Sequence, residues 1–79
     1  MSVLNKVEHL DVTGLRCPMP VLKAARLCRE LAAGTELVVR ATDPMAELDF
    51  QHFCHEKGHE FLGVERSGEE LTIRLRVQV

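Results

Sequence analysis

The 79-residue chain carries a formal net charge of −2, is 46% hydrophobic and 28% charged, and contains three Phe but no Trp or Tyr. One small domain spans residues 1–79, too small for a deep substrate cavity with a full catalytic apparatus, so function belongs on its surface. The absence of a basic excess and the few aromatic rings argue against gripping nucleic acid through phosphates or stacked bases.

No apolar run is long enough to span a bilayer, and the opening MSVLNKVEH lacks the apolar segment of a signal peptide. A cytoplasmic protein is expected. The three cysteines, Cys17, Cys28 and Cys54, form no C-x-x-C pair. In a reducing compartment they read as free thiols, buried or reactive.

Val7 to Val12 reads as a strand closed by Thr13-Gly14. Pro18 to Ala33 reads as a helix that Gly34 ends. Its apolar face holds Val21, Ala24, Ala25, Cys28, Leu31 and Ala32, with Lys23, Arg26, Arg29 and Glu30 turned away. Glu36 to Ala41 forms the next strand. A second helix follows Thr42-Asp43-Pro44, with Asp43 as its cap and Pro44 in the first helical position. Ala46, Phe50, Phe53 and Cys54 face inward, Met45, Leu48, His52 and His55 outward, and Gly58 closes the helix. Strands Glu60 to Glu65 and Leu71 to Val77 flank a hairpin at Ser67-Gly68-Glu69-Glu70. Leu71, Ile73, Leu75 and Val77 alternate with polar residues, as in a strand buried on one face only.

The order β-α-β-α-β-β, with right-handed crossovers, predicts a two-layer α/β sandwich. Both helices cover one face of a four-stranded mixed sheet.

Cys17-Pro18 stands where Asp43-Pro44 stands before the second helix, with a thiol in place of a capping anion. The positive helix end and the neighbouring Arg16 predict a moderately lowered Cys17 pKa. Pro18 and Pro20 lack an N–H, leaving Met19 as the early donor, and they stiffen the junction so that the sulfur points outward. If the first two strands are parallel neighbours, Arg16, Met19, Asp43 and Met45 surround Cys17 at one sheet edge. Without a pocket, such a site suits docking to another protein, for which exposed Met45 and Leu48 offer contacts.

The bland alternative is a structural cysteine. For Cys28 and Cys54, on apolar helix faces, that alternative is preferred. Cys28 is about 16 Å along the helix from Cys17 at ~1.5 Å per residue, beyond the roughly 7 Å that a disulfide spans. With Cys54 similarly deep in the second helix, Cys17 has no partner within the chain, which favours exchange between molecules. His52 and His55 share a helix face from which Cys54 points away, and His9 and His59 form no pattern. Two ligands make a poor zinc site, so no metal is expected.

Leu10-Asp11 and Gly14-Leu15-Arg16-Cys17-Pro18-Met19-Pro20, followed by Gly34, Thr42-Asp43-Pro44, Asp49, Phe53-Cys54 and Gly58-His59-Glu60, resemble the TusA/SirA family of sulfurtransferases, with its Cys-Pro-x-Pro signature. The likeness runs through nearly the whole chain. It implies a fold like the C-terminal domain of a bacterial translation initiation factor, and a persulfide relay that needs no cofactor. Cys17 would accept sulfur from a cysteine desulfurase or rhodanese-type donor. It would pass the sulfur to an acceptor protein for tRNA thiolation, cofactor synthesis or sulfur oxidation. Residues after the signature cysteine and around Asp43-Pro44 would dock partners. The competing readings are a non-catalytic regulatory or interaction module and, by fold analogy alone, RNA binding.

Overall fold

A computed structural model describes residues 6–78; residues 1–5, on which the signal-peptide argument partly rests, lie outside them. The elements are β1 (Val7–Val12), α1 (Met19–Cys28), β2 (Glu36–Ala41), α2 (Ala46–Lys57), β3 (Glu60–Ser67) and β4 (Glu70–Arg76). They build the expected α/β fold of two helices on a four-stranded mixed sheet, in the order β1-β2-β4-β3. β1 and β2 are parallel, with Val12 opposite Ala41. β4 runs antiparallel to both β2 and β3. Among the described residues no helix is long and apolar enough to cross a membrane.

The core lies between the sheet and the helices. Val12, Leu37, Val39, Ile73 and Leu75 point up from the strands against Ala24, Phe50, Phe53 and Cys54 on the helices. Alternation decides this, since every second residue of β2 and β4 faces the helices and is fully buried. Removing each such Val, Leu or Ile side chain from water contributes about 1.5–3 kcal/mol.

The other face of the sheet carries charges in complementary rows. Arg40 lies 3.7 Å from Asp11 and also pairs with Glu70. Arg74 reaches Glu36 at 3.3 Å and Arg76 reaches Glu60 at 3.1 Å. Exposed pairs of this kind add little stability, but they keep the sheet's uncovered face wet.

The boundaries differ from the sequence reading in ways that have physical causes. α1 stops at Cys28, five residues before Ala33. Its last turn tightens as Glu30 N–H donates to Leu27 O at 2.9 Å, and Gly34 N–H is drawn to Val77 O at 2.7 Å. Ala32 is therefore exposed instead of joining the apolar face, which ends at Leu31. α2 ends as expected at Gly58, whose φ of 80° is a left-handed conformation that other residues resist. The β3–β4 hairpin turns on Gly68 and Glu69, with φ 63° at Gly68 as a two-residue turn with glycine first requires.

Both ends of the described chain are fastened at the N-terminal end of β2. Glu36 N–H donates to Lys6 O at 2.8 Å, and Val77 N–H to Thr35 O at 2.8 Å. Gln78 N–H then reaches Nδ1 of His59 at 3.0 Å.

Candidate functional site

Because β1 and β2 are parallel and in register to their last residues, the segments leaving them run side by side at one edge of the sheet. Side chains of the second segment fasten the first. Thr42 Oγ1 accepts the Gly14 N–H at 2.9 Å, and Asp43 Oδ2 accepts the Cys17 N–H at 2.6 Å. The other Asp43 oxygen accepts the Met45 N–H at 3.1 Å, and the Asp43 carbonyl accepts the Ala46 N–H at 2.9 Å. Asp43 thus closes the turn into α2 and anchors the Cys17 loop with one carboxylate. Met45 takes the N-cap position that the sequence assigns to Asp43.

Cys17 is exposed, whereas Cys28 and Cys54 are buried. Burial pushes both of those thiols up in pKa, Cys54 to about 11, and keeps them from contact with another molecule. Cys17 does not cap α1. A turn closed by Met19 N–H to Arg16 O at 2.8 Å puts Pro18 at the N-cap, where no side chain bonds the helix end; the Cys17–Pro18 peptide is cis. Cys17 instead lines a groove of about 330 Å³ between the helices, with Val21, Leu22 and Phe53 on its apolar side and Asp49 and His52 from α2 opposite.

Its electrostatics reverse the expectation. The Cys17 pKa is raised, first by the nearby Asp49 carboxylate, then by desolvation and by the charge of Asp43. Prolines strip N–H donors from the start of α1, and the strongest neighbours of the sulfur come from α2, where Asp49 sits in the first turn. Arg16 does not supply the expected positive charge. It lines a separate concavity of about 660 Å³, with Thr42, Asp43 and Arg66. Arg66 in turn pairs with Glu47 at 2.6 Å.

The remaining site residues divide by exposure. Pro20 is buried and holds the first turn of α1 down, while Pro18 is exposed. Met19, Met45 and Leu48 are exposed at 42%, 49% and 58%. Asp43 is only 9% exposed and ties the Cys17 loop to the turn into α2. The sequence reading did not single out Leu22, 53% exposed on α1, or Asp49 as a neighbour of the thiol. The signal for Asp49 is its place on a stripe with His52 and Glu56, spaced i, i+3, i+7 along α2, which lines the Cys17 groove.

One group of three or more metal-ligand donors occurs among the described residues. Cys17, Asp43 and Asp49 each bring an atom within 4.8 Å of the others. These are the residues that could hold a cation. His52 lies apart from them, 3.6 Å from Glu56, and Cys54 is in the core.

Comparison with known proteins places the chain in a family. The chain is 54% identical over 63 residues to the sulfur carrier protein TusA of Pseudomonas entomophila, a match covering 80% of this chain and 79% of that protein. It is 51% identical over 53 residues to TusA of Pseudomonas putida strain F1, covering 67% of this chain and 66% of that one. The crystal structure of the SirA-like protein from Desulfitobacterium hafniense superposes with a TM-score of 0.74 at 23% identity, covering 91% of this chain and 99% of that one, and shares its fold. Residues 8–77 match the model of the sulfurtransferase TusA family, and the chain belongs to that family of sulfur carriers.

Proposed function

We propose that this carrier relays sulfur as a persulfide on Cys17. The observation that carries the reading is an exposed thiol in a firmly tethered loop, while Cys28 and Cys54 are both buried. An exposed cysteine with no accessible partner in its own chain exchanges sulfur with other molecules. In the first displacement, Cys17 thiolate attacks the outer sulfur of a donor persulfide and the donor cysteine leaves. In the second, an acceptor thiolate attacks the sulfur now held on Cys17 and regenerates it. Neither step needs a metal or an organic cofactor.

The donor is a cysteine desulfurase or rhodanese-type protein in the cytoplasm, and the acceptor serves tRNA thiolation, cofactor synthesis or sulfur oxidation. Met19, Leu22, Met45 and Leu48, exposed on the two helices and the turn before α2, supply the apolar docking surface. The same surface favours the rival reading, a non-catalytic interaction module.

Intact-protein mass spectrometry separates the two after incubation with a cysteine desulfurase and cysteine, and separately with a rhodanese-type donor. A reducible gain of one sulfur on the wild type, absent in Cys17→Ser, supports the relay. No gain from either donor overturns it in favour of the interaction module.

A further inference from the structure

The groove that holds Cys17 does not end beside the thiol. It runs on between the helices, past Val21, Leu22 and Ala25 of α1 and Phe53 of α2, to Lys57. A second concavity of about 360 Å³ continues it, since Ala25, Phe53 and Lys57 line both. The polar lining of this second concavity is Arg29, Lys57, His59 and Gln78. Among the described residues no carboxylate lines it, and neither Arg29 nor Lys57 forms an ion pair. The His59 ring lies 5.3 Å from that of Phe53, and its Nδ1 accepts the Gln78 N–H at 3.0 Å. With Nδ1 occupied as an acceptor, the proton of the neutral ring sits on Nε2, which is a further donor.

Charge therefore changes sign along one channel. At the thiol end, oxygens of Asp43 and Asp49 lie within 4.8 Å of the Cys17 sulfur. Midway, Glu56 lies 3.6 Å from His52. The far end gathers two cations in a chain whose formal net charge is −2. Along α2, Lys57 lies about 12 Å from Asp49 at ~1.5 Å per residue, and Arg29 follows α1 about 16 Å from Pro18. An extended peptide, at ~3.3 Å per residue, covers that distance in about four or five residues.

We propose that the two concavities form one docking channel for an extended segment of the partner protein, whose reacting cysteine meets Cys17 and whose acidic side chain, about four or five residues away, is held by Arg29, Lys57 and His59. This rests on the reading of Cys17 as the exchanging thiol and adds to it the chemistry of the partner's segment. Apolar residues between the two anchor points lie against Val21, Leu22 and Ala25. An acid nearer the partner's cysteine faces Asp49 and is repelled, so spacing as well as charge selects the partner.

The test uses short synthetic peptides with a single cysteine carrying a 2-pyridyl disulfide. A single glutamate stands nearer than, at, or beyond the spacing of about four or five residues, on either side of that cysteine. Cys17 attacks the peptide sulfur, the Cys17–peptide disulfide forms, and the pyridyl sulfur leaves with the thiol's proton as pyridine-2-thione, whose absorbance gives the rate. Mass spectrometry identifies the cysteine joined, and each rate is divided by that of neutral methyl methanethiosulfonate to remove differences in thiol reactivity. At low salt, glutamate at the matching spacing should react about threefold to tenfold faster than glutamine there, with no such gain at the other spacings. The double variant Arg29→Glu, Lys57→Glu should abolish the gain and give it instead to lysine at the same spacing. Equal rates for glutamate and glutamine at every spacing, or a gain that survives the double variant, overturn the proposal even if Cys17 loads sulfur from a desulfurase. A spacing-dependent gain with no sulfur loading from any donor upholds the docking channel and overturns the persulfide relay alone.

Discussion

The Cys17 N–H and the Asp43 carboxylate meet at 2.6 Å across 26 residues of sequence, tying the loop that carries the thiol to the loop that opens α2. The site is therefore a product of two β-α units side by side, and neither unit builds it alone.

Asp43→Ala leaves the Cys17 and Met45 amides without their carboxylate partner. Losing hydrogen bonds to a mostly buried charged group should lower stability by about 1–3 kcal/mol. Asp43→Asn, which keeps one acceptor oxygen, should lose less. Urea denaturation of the two variants checks the order.

Cys17→Ser alters an exposed side chain whose backbone bond to Asp43 survives the change. Its unfolding free energy should stay within about 0.5 kcal/mol of the wild type, while sulfur loading is abolished. Thermal melts read beside mass spectrometry separate a chemical loss from a folding defect.

Cys54 gives the stability curve an alkaline limb. Its thiol lies in the core and burial raises its folded-state pKa from 9.0 to about 11, so the unfolded chain releases this proton more readily. The stability tied to the neutral thiol is complete below pH 9.0 and is lost as pH climbs from there through about 11. Denaturation midpoints should fall over that window, and the fall should be shallower in Cys54→Ala.

Met45→Glu and Leu48→Glu put charge on exposed apolar positions. Each should slow sulfur transfer from a protein donor several-fold while leaving the melting temperature and the alkylation rate of Cys17 unchanged. Equal transfer rates would remove these residues from the docking surface.

Much of this was legible because local pattern and tertiary role agree. The alternation of Leu71, Ile73 and Leu75 foretells which face of β4 is buried, and the spacing of Ala46, Phe50, Phe53 and Cys54 foretells the inner face of α2. Asp43-Pro44 signals a turn into a helix, although the helix proper begins two residues later. The end of α1 was not legible. Ala32 and Ala33 suit a helix as well as any residue, and what stops them is the pull of Gly34 and Thr35 toward β4. The raised pKa of Cys17 was not legible either. Sequence places Arg16 beside the sulfur, but in the fold Arg16 lines a separate concavity and Asp49, distant in sequence, comes within 4.8 Å of the sulfur.

Lys6 and Val77, the strand-flanking residues pinned beside Glu36 and Thr35, sit at the opposite end of β2 from Cys17 and Asp43. The six residues of β2 separate the two ends by about 20 Å. The described chain therefore enters and leaves the sheet at the end away from the thiol, and neither of its pinned ends crowds the sulfur.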